Sequence, residues 1–232
     1  MTGITRKILK GAAVAAMGTL LSVAAFASGS GFGMNADEAL QKLMKGNKQF
    51  IDQQQTEQTL CDLKTTRQSL AKSQKPYAVI LSCSDSRVPP EIIFNKGLGE
   101  IFVIRVAGNI PDPIVLGSIE YAVEHIGSPL IMVLGHERCG AVTATVDAKG
   151  KPEGNIGAII KTIAPAVQTA RKEYTGKDKA QLIETAVDVN VRLVAANLTK
   201  QSSVIKHLVK EGKVKIVTAK YDLDDGTVTV FK

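Results

Sequence analysis

Apolar residues fall along this chain in two rhythms. Unbroken runs occur at Tyr77-Ala78-Val79-Ile80-Leu81, Ile101-Phe102-Val103-Ile104 and Pro129-Leu130-Ile131-Met132-Val133-Leu134, and a β-branched stretch at Val214-Lys215-Ile216-Val217-Thr218-Ala219. They are short and rich in Val, Ile and Leu, which predicts buried parallel strands, the second extending over 100–106. Between them apolar residues recur at three- and four-residue spacing. Asn35 or Asp37 caps one such stretch, in which Ala39, Leu40, Leu43, Met44, Phe50 and Ile51 share a face. Residues 56–73 continue as helix or turn, and a short helix follows Pro89-Pro90-Glu91. Longer helices are predicted from Asp112-Pro113 to Ile126, over 141–146, over 156–173 and over 179–211, and Asp224-Asp225-Gly226 closes a hairpin with Thr227 to Phe231. The fold class is therefore α/β: a mostly parallel central β-sheet flanked by helices, with an N-terminal helical arm and a C-terminal β-hairpin.

Two of the predicted strands end in reactive chemistry. The first runs into Cys83-Ser84-Asp85-Ser86-Arg87, the third into Gly135-His136-Glu137-Arg138-Cys139. Ligands in open α/β sheets bind outside the carboxyl ends of the strands, so two thiols, an imidazole and a carboxylate converge on one crevice. On extended chain Cys83, Asp85 and Arg87 face the same side. Two thiolates with an imidazole form a zinc set, and three protein ligands with a fourth position left for water is its catalytic form. Asp85 either fills that fourth position or pairs with the forked guanidinium of Arg87. A buried Cys more often packs as a small hydrophobe, so the weight rests on the combination. Gly140, just past the second thiol, reads as a place of close backbone approach.

The first residues differ from the rest. Arg6, Lys7 and Lys10 precede an apolar stretch from Gly11 to Phe26, and Ala25-Phe26-Ala27 supplies a small-residue cleavage site, the layout of a secretory signal peptide over 1–27. At about 16 residues the apolar stretch falls short of the roughly 20 that span a bilayer, so no stable membrane anchor is expected after cleavage and a periplasmic protein is. Residues 28–34 read as a linker and 35–232 as one domain. Removing the three basic residues of the leader lowers the formal charge from +7 to +4. No basic run with interleaved aromatics follows, which argues against a nucleic-acid partner. Cys61 is expected to be buried without a metal role, and His125 and His207 to be packed or solvent-facing.

The stretch over about 35–232 resembles the β-class carbonic anhydrases. The motifs that carry the likeness are Cys83-Ser84-Asp85-Ser86-Arg87-Val88, Gly99 to Asn109, Gly117-Ser118-Ile119-Glu120-Tyr121-Ala122 and Gly135-His136-Glu137-Arg138-Cys139-Gly140. The resemblance implies reversible hydration of carbon dioxide to bicarbonate at a zinc ion (Zn2+) bound by Cys83, His136 and Cys139, with water or Asp85 fourth. It implies a catalytic dyad of Asp85 and Arg87. It also implies a pocket lined by Phe102, Ala107, Tyr121 and Gly140, into which Gln74 reaches from a partner subunit of a homodimer or dimer of dimers. N-terminal arms in the family wrap a neighbouring subunit. Members with a regulatory bicarbonate site carry Trp three residues before the first Cys, where this chain has Ile80. Two other readings of the same site are hydrolysis of carbonyl sulfide or carbon disulfide, and a structural zinc protein in which Asp85 closes the metal permanently.

Overall fold

The computed structural model describes residues 33–53, 63–150, 152 and 154–231. The expected leader and Cys61 lie outside these residues. In chain order the elements are α1 (Ala36–Ile51), α2 (Leu63–Leu70), β1 (Ala78–Ser82), α3 (Pro90–Ile93), β2 (Ile101–Arg105), α4 (Pro113–Glu120), β3 (Leu130–His136), α5 (Gly140–Asp147), α6 (Ile156–Glu173), α7 (Lys179–Gln201), α8 (Ser203–Lys210), β4 (Lys215–Tyr221) and β5 (Val228–Val230). The strands form one sheet in the order β2-β1-β3-β4-β5. The first four are mutually parallel and β5 is antiparallel to β4, as the hairpin pattern predicts.

Alternation along the central strands feeds two cores. Ala78 and Ile80 of β1 and Leu130, Met132 and Leu134 of β3 pack with α1, α5 and α6 on one face. Val79, Leu81, Ile131 and Val133 pack with α4 and α8 on the other. Every residue of β1 and β3 is buried, which explains why these strands read as continuous apolar runs. Helix α7 serves both faces, Ala186, Val187 and Val189 joining the first core and Val191, Val194 and Leu198 the second. It comes close to β3 at Gly135, where an added Cβ would lie 2.4 Å from Val191 Cγ2. From β1 the chain steps to β2 on one side and later to β3 on the other. The gap between the carboxyl ends of β1 and β3 is thus the switch point of the sheet, where a crevice opens.

Several expectations need correcting. The helix predicted over 179–211 is two: Ser202 is extended between α7 and α8, its Oγ accepts from the Ile205 N–H at 3.0 Å, and it donates to Glu120 Oε1. A serine hydroxyl that caps a new helix outcompetes continuation of the old one. The helix from Asp112 is capped by that side chain and gives way after Glu120 to one wider, π-type turn at Tyr121–His125. β4 runs two residues beyond its predicted end, through Tyr221. The N-terminal helix packs its apolar stripe on this chain's own core, with Ala39 and Leu43 fully buried. Asn47 secures it, donating to the Ile93 and Gly226 carbonyls and accepting from the Val228 N–H.

Candidate metal centre

Cys83 follows β1 directly, His136 is the last residue of β3, and Cys139 stands at the head of α5. Their ligand atoms lie within 4.8 Å of one another, and all three side chains are buried. His136 presents Nδ1 to the Glu137 carbonyl at 2.8 Å, which fixes Nδ1 as the protonated nitrogen. Its Nε2 is buried without a hydrogen-bond partner. An orphaned imidazole nitrogen beside two thiols is a costly arrangement in a bare protein and a natural one around a thiophilic ion. The donor set therefore fits zinc.

The two thiols do not titrate alike. Cys83 is drawn well below the ordinary thiol value by the hydrogen bond from Cys139, against the effect of burial, with further help from His136 and the Gly108 and Asp85 backbone. Cys139 is pushed up by the same hydrogen bond and by burial. A short turn, Ala107–Asn109, supplies the Gly108 N–H that donates to Cys83 Sγ at 3.3 Å. Gly108 has φ +72°, and an added Cβ would lie 2.6 Å from Ile163 Cδ1, so any side chain there would be strained and glycine is favoured. The buried Asn190 of α7 locks the turn by donating to the Gly108 carbonyl at 3.0 Å.

Asp85 and Arg87 form a two-pronged pair. Arg87 Nε donates to Asp85 Oδ1 at 2.9 Å and Nη2 to Oδ2 at 2.7 Å, while the Arg87 backbone N–H also reaches Oδ1 at 3.0 Å. The guanidinium holds the Asp85 carboxyl far below the usual carboxylate range. Asp85 Oδ2 lies 3.9 Å from the orphaned His136 Nε2, beside the space between the metal donors. Arg105, at the end of β2, donates to the Cys83 carbonyl at 2.9 Å and to the Asp85 carbonyl at 2.5 Å, tying down the loop that carries both.

The five residues picked from the two motifs thus come together. Ala107 sits in the turn that serves Cys83. Phe102 and Tyr121 pack on each other with ring centroids 6.4 Å apart, and exposed His125 continues the stack at 5.6 Å from Tyr121. Gln74 is exposed in the segment entering β1. Gly140 departs from expectation: it is exposed and an added Cβ would meet nothing within 4 Å, the close approaches lying at Gly108 and Gly135 instead. Sequence reasoning gave no role to Arg105, Asn190 or Arg138. A polar Asn between Val189 and Val191 in an otherwise apolar helical stripe was the available signal for the second of these.

The carbonic anhydrase family model matches residues 78–228. A protein of Mycobacterium tuberculosis named carbonic anhydrase 2 is 40% identical over 197 residues, covering 83% of this chain and 91% of its own. A carbonic anhydrase of Mycolicibacterium smegmatis is 41% identical over 165 residues, covering 70% and 78%. Among solved structures, Coccomyxa β-carbonic anhydrase in complex with acetazolamide superposes with a TM-score of 0.68 at 26% identity, over 83% of this chain and 86% of that one. One of two tetrameric β-carbonic anhydrases from Sordaria macrospora shares the fold, with a TM-score of 0.67 at 22% identity over 73% and 88%. The strand-end motifs, the fold around them and these relatives agree, and the chain belongs to the β-class carbonic anhydrases.

Proposed function

We propose that this enzyme hydrates carbon dioxide reversibly to bicarbonate and a proton, with zinc held by Cys83, His136 and Cys139 and with Asp85 and Arg87 as the catalytic dyad. The observation that carries the reading is the Asp85–Arg87 pair, in which the carboxylate is held by two guanidinium contacts within 3.9 Å of His136 Nε2. A structural metal site has no use for a carboxylate restrained at its edge. When bound there, zinc would supply Lewis acidity, bringing deprotonation of water into the neutral range. Asp85 accepts a hydrogen bond from the attacking oxygen and orients it, and Arg87 keeps the carboxylate in place and ionised. The depressed Asp85 pKa suits an acceptor rather than a proton store. Phe102, Ala107 and Tyr121 offer an apolar wall to an uncharged, linear substrate.

The same reading includes a second subunit. β2 is an edge strand, and Ile114 and Tyr121, which follow it, are 80% and 43% exposed. A homodimer would cover this region and let Gln74 act in a neighbour's pocket; tetrameric relatives support such assembly. It also includes export, supported by the order of basic, apolar and small residues in 1–27. The test is stopped-flow hydration of carbon dioxide on protein whose zinc content and mature N-terminus are measured by mass spectrometry. Protein holding one zinc per chain without hydratase activity would defeat the catalytic reading, and a full-length cytoplasmic species would defeat export.

A further inference from the structure

Arg138 has φ +50°, in the left-handed region that an L-residue with a Cβ enters only under constraint. It stands directly before Cys139, so its backbone angles decide where that thiol points. Each of its polar groups is engaged by a different part of the molecule. The N–H donates to Glu184 Oε1 of α7 at 2.8 Å. The guanidinium makes a two-pronged pair with Asp224, in the turn between β4 and β5, at 2.9 and 3.0 Å. The carbonyl accepts from Arg87 Nη2 at 3.5 Å.

These contacts are not equal. Arg138 and Asp224 have side chains 50% and 75% exposed, so water and salt screen their attraction. The Glu184 side chain is 21% exposed and lies 3.5 Å from Lys220 Nζ, which also pairs with Asp188 at 2.9 Å. Glu184 is thus a half-buried acceptor on a long helix, aimed at a backbone donor. Helix α7 is itself fixed against β3 at Gly135, one residue before the ligand His136.

We propose that Glu184 is a positioning residue for the metal centre. Its bond to the Arg138 N–H holds residue 138 left-handed, which sets Cys139 Sγ among the donors and turns the Arg138 carbonyl toward Arg87. It touches neither metal nor substrate. The inference rests on the zinc reading above, and the experiment separates the two.

Zinc release from the purified holoenzyme to a chromogenic chelator is timed for wild type, Glu184→Ala, Glu184→Gln, Arg138→Gly and the double variant Arg138→Gly/Glu184→Ala, with thermal unfolding followed on the same samples. Alanine is a good helix former at this partly exposed site, so the variant folds. Glu184→Ala should release zinc on the order of 10-fold faster than wild type, the range in which residues that orient metal ligands act. Glu184→Gln keeps an acceptor oxygen and should stay near the wild-type rate. Glycine takes a positive φ freely, so in the Arg138→Gly background removal of Glu184 should change the rate little. Release by Glu184→Ala at the wild-type rate overturns the proposal, as does equal acceleration in both backgrounds or equal loss in the Gln and Ala variants. Wild-type protein that holds no zinc would instead defeat the zinc reading itself.

Discussion

At Asp85 two attractions would compete on the proposed reading, one toward the Arg87 guanidinium and one toward zinc. The structure shows the first satisfied, with bonds of 2.7 and 2.9 Å, and the same carboxylate 3.9 Å from His136 Nε2. Asp85→Asn should keep zinc, because three ligands suffice, and lose hydration by at least about 100-fold, since an amide is no longer a pure acceptor. Arg87→Ala should also keep zinc and lose activity, because the freed carboxylate can take the fourth position. Zinc content and stopped-flow hydration on the same samples decide both; near-normal hydration by Arg87→Ala would remove the dyad. Cys83, Asp85, Arg87, His136 and Cys139 were legible in the sequence because each group of them is contiguous and ends a strand. Arg105 and Asn190 were not, because they act on main-chain carbonyls of residues 20 or more positions away. Residue type carries no mark of such a partner.

Among the elements, periodicity alone runs α7 and α8 together, since the Ser202 break depends on a cap that competes with an apolar periodicity continuing on both sides. Strands β1 and β3 were read well because burial on two faces leaves an unbroken apolar run. What no periodicity shows is how closely α7 approaches β3. Gly135→Ala would place a methyl carbon 2.4 Å from Val191 Cγ2 and 3.4 Å from Val187 Cγ1. The expected cost is about 1–3 kcal/mol in urea unfolding, the usual range for overpacking, and Val191→Ala added to it should recover part of the loss. The same face of α7 makes a charged contact with β4, where Lys220 lies between Asp188 and Glu184. Burial alone would lower the lysine's pKa, but the two carboxylates outweigh it and raise it above 10.5. Its contribution to stability is therefore complete below about 10.5 and lost as pH rises through the higher folded-state value. The stability gap between wild type and Lys220→Met should narrow over that alkaline window. A gap that stays constant there would show that the ion pairs carry no weight.

For the molecule as a whole, the mostly parallel sheet and the crevice at its strand ends were legible in the hydrophobic rhythm, whereas the strand order was not, and the proposed assembly rests on an edge strand, an exposed Gln74, and Ile114 and Tyr121 in solvent. If Gln74 serves a neighbour's site, two crippled chains should repair one another. One carries Gln74→Ala with an intact dyad, the other Asp85→Asn with an intact Gln74. In a mixed dimer, one of the two sites combines an intact dyad with an intact Gln74 and the other has neither. Random reassociation makes half of the dimers mixed, so recovery should approach about one quarter of wild-type hydration, well above either variant alone. Should Gln74 act within its own subunit, no pairing restores a complete site, and the mixture will show only the average of the two variants.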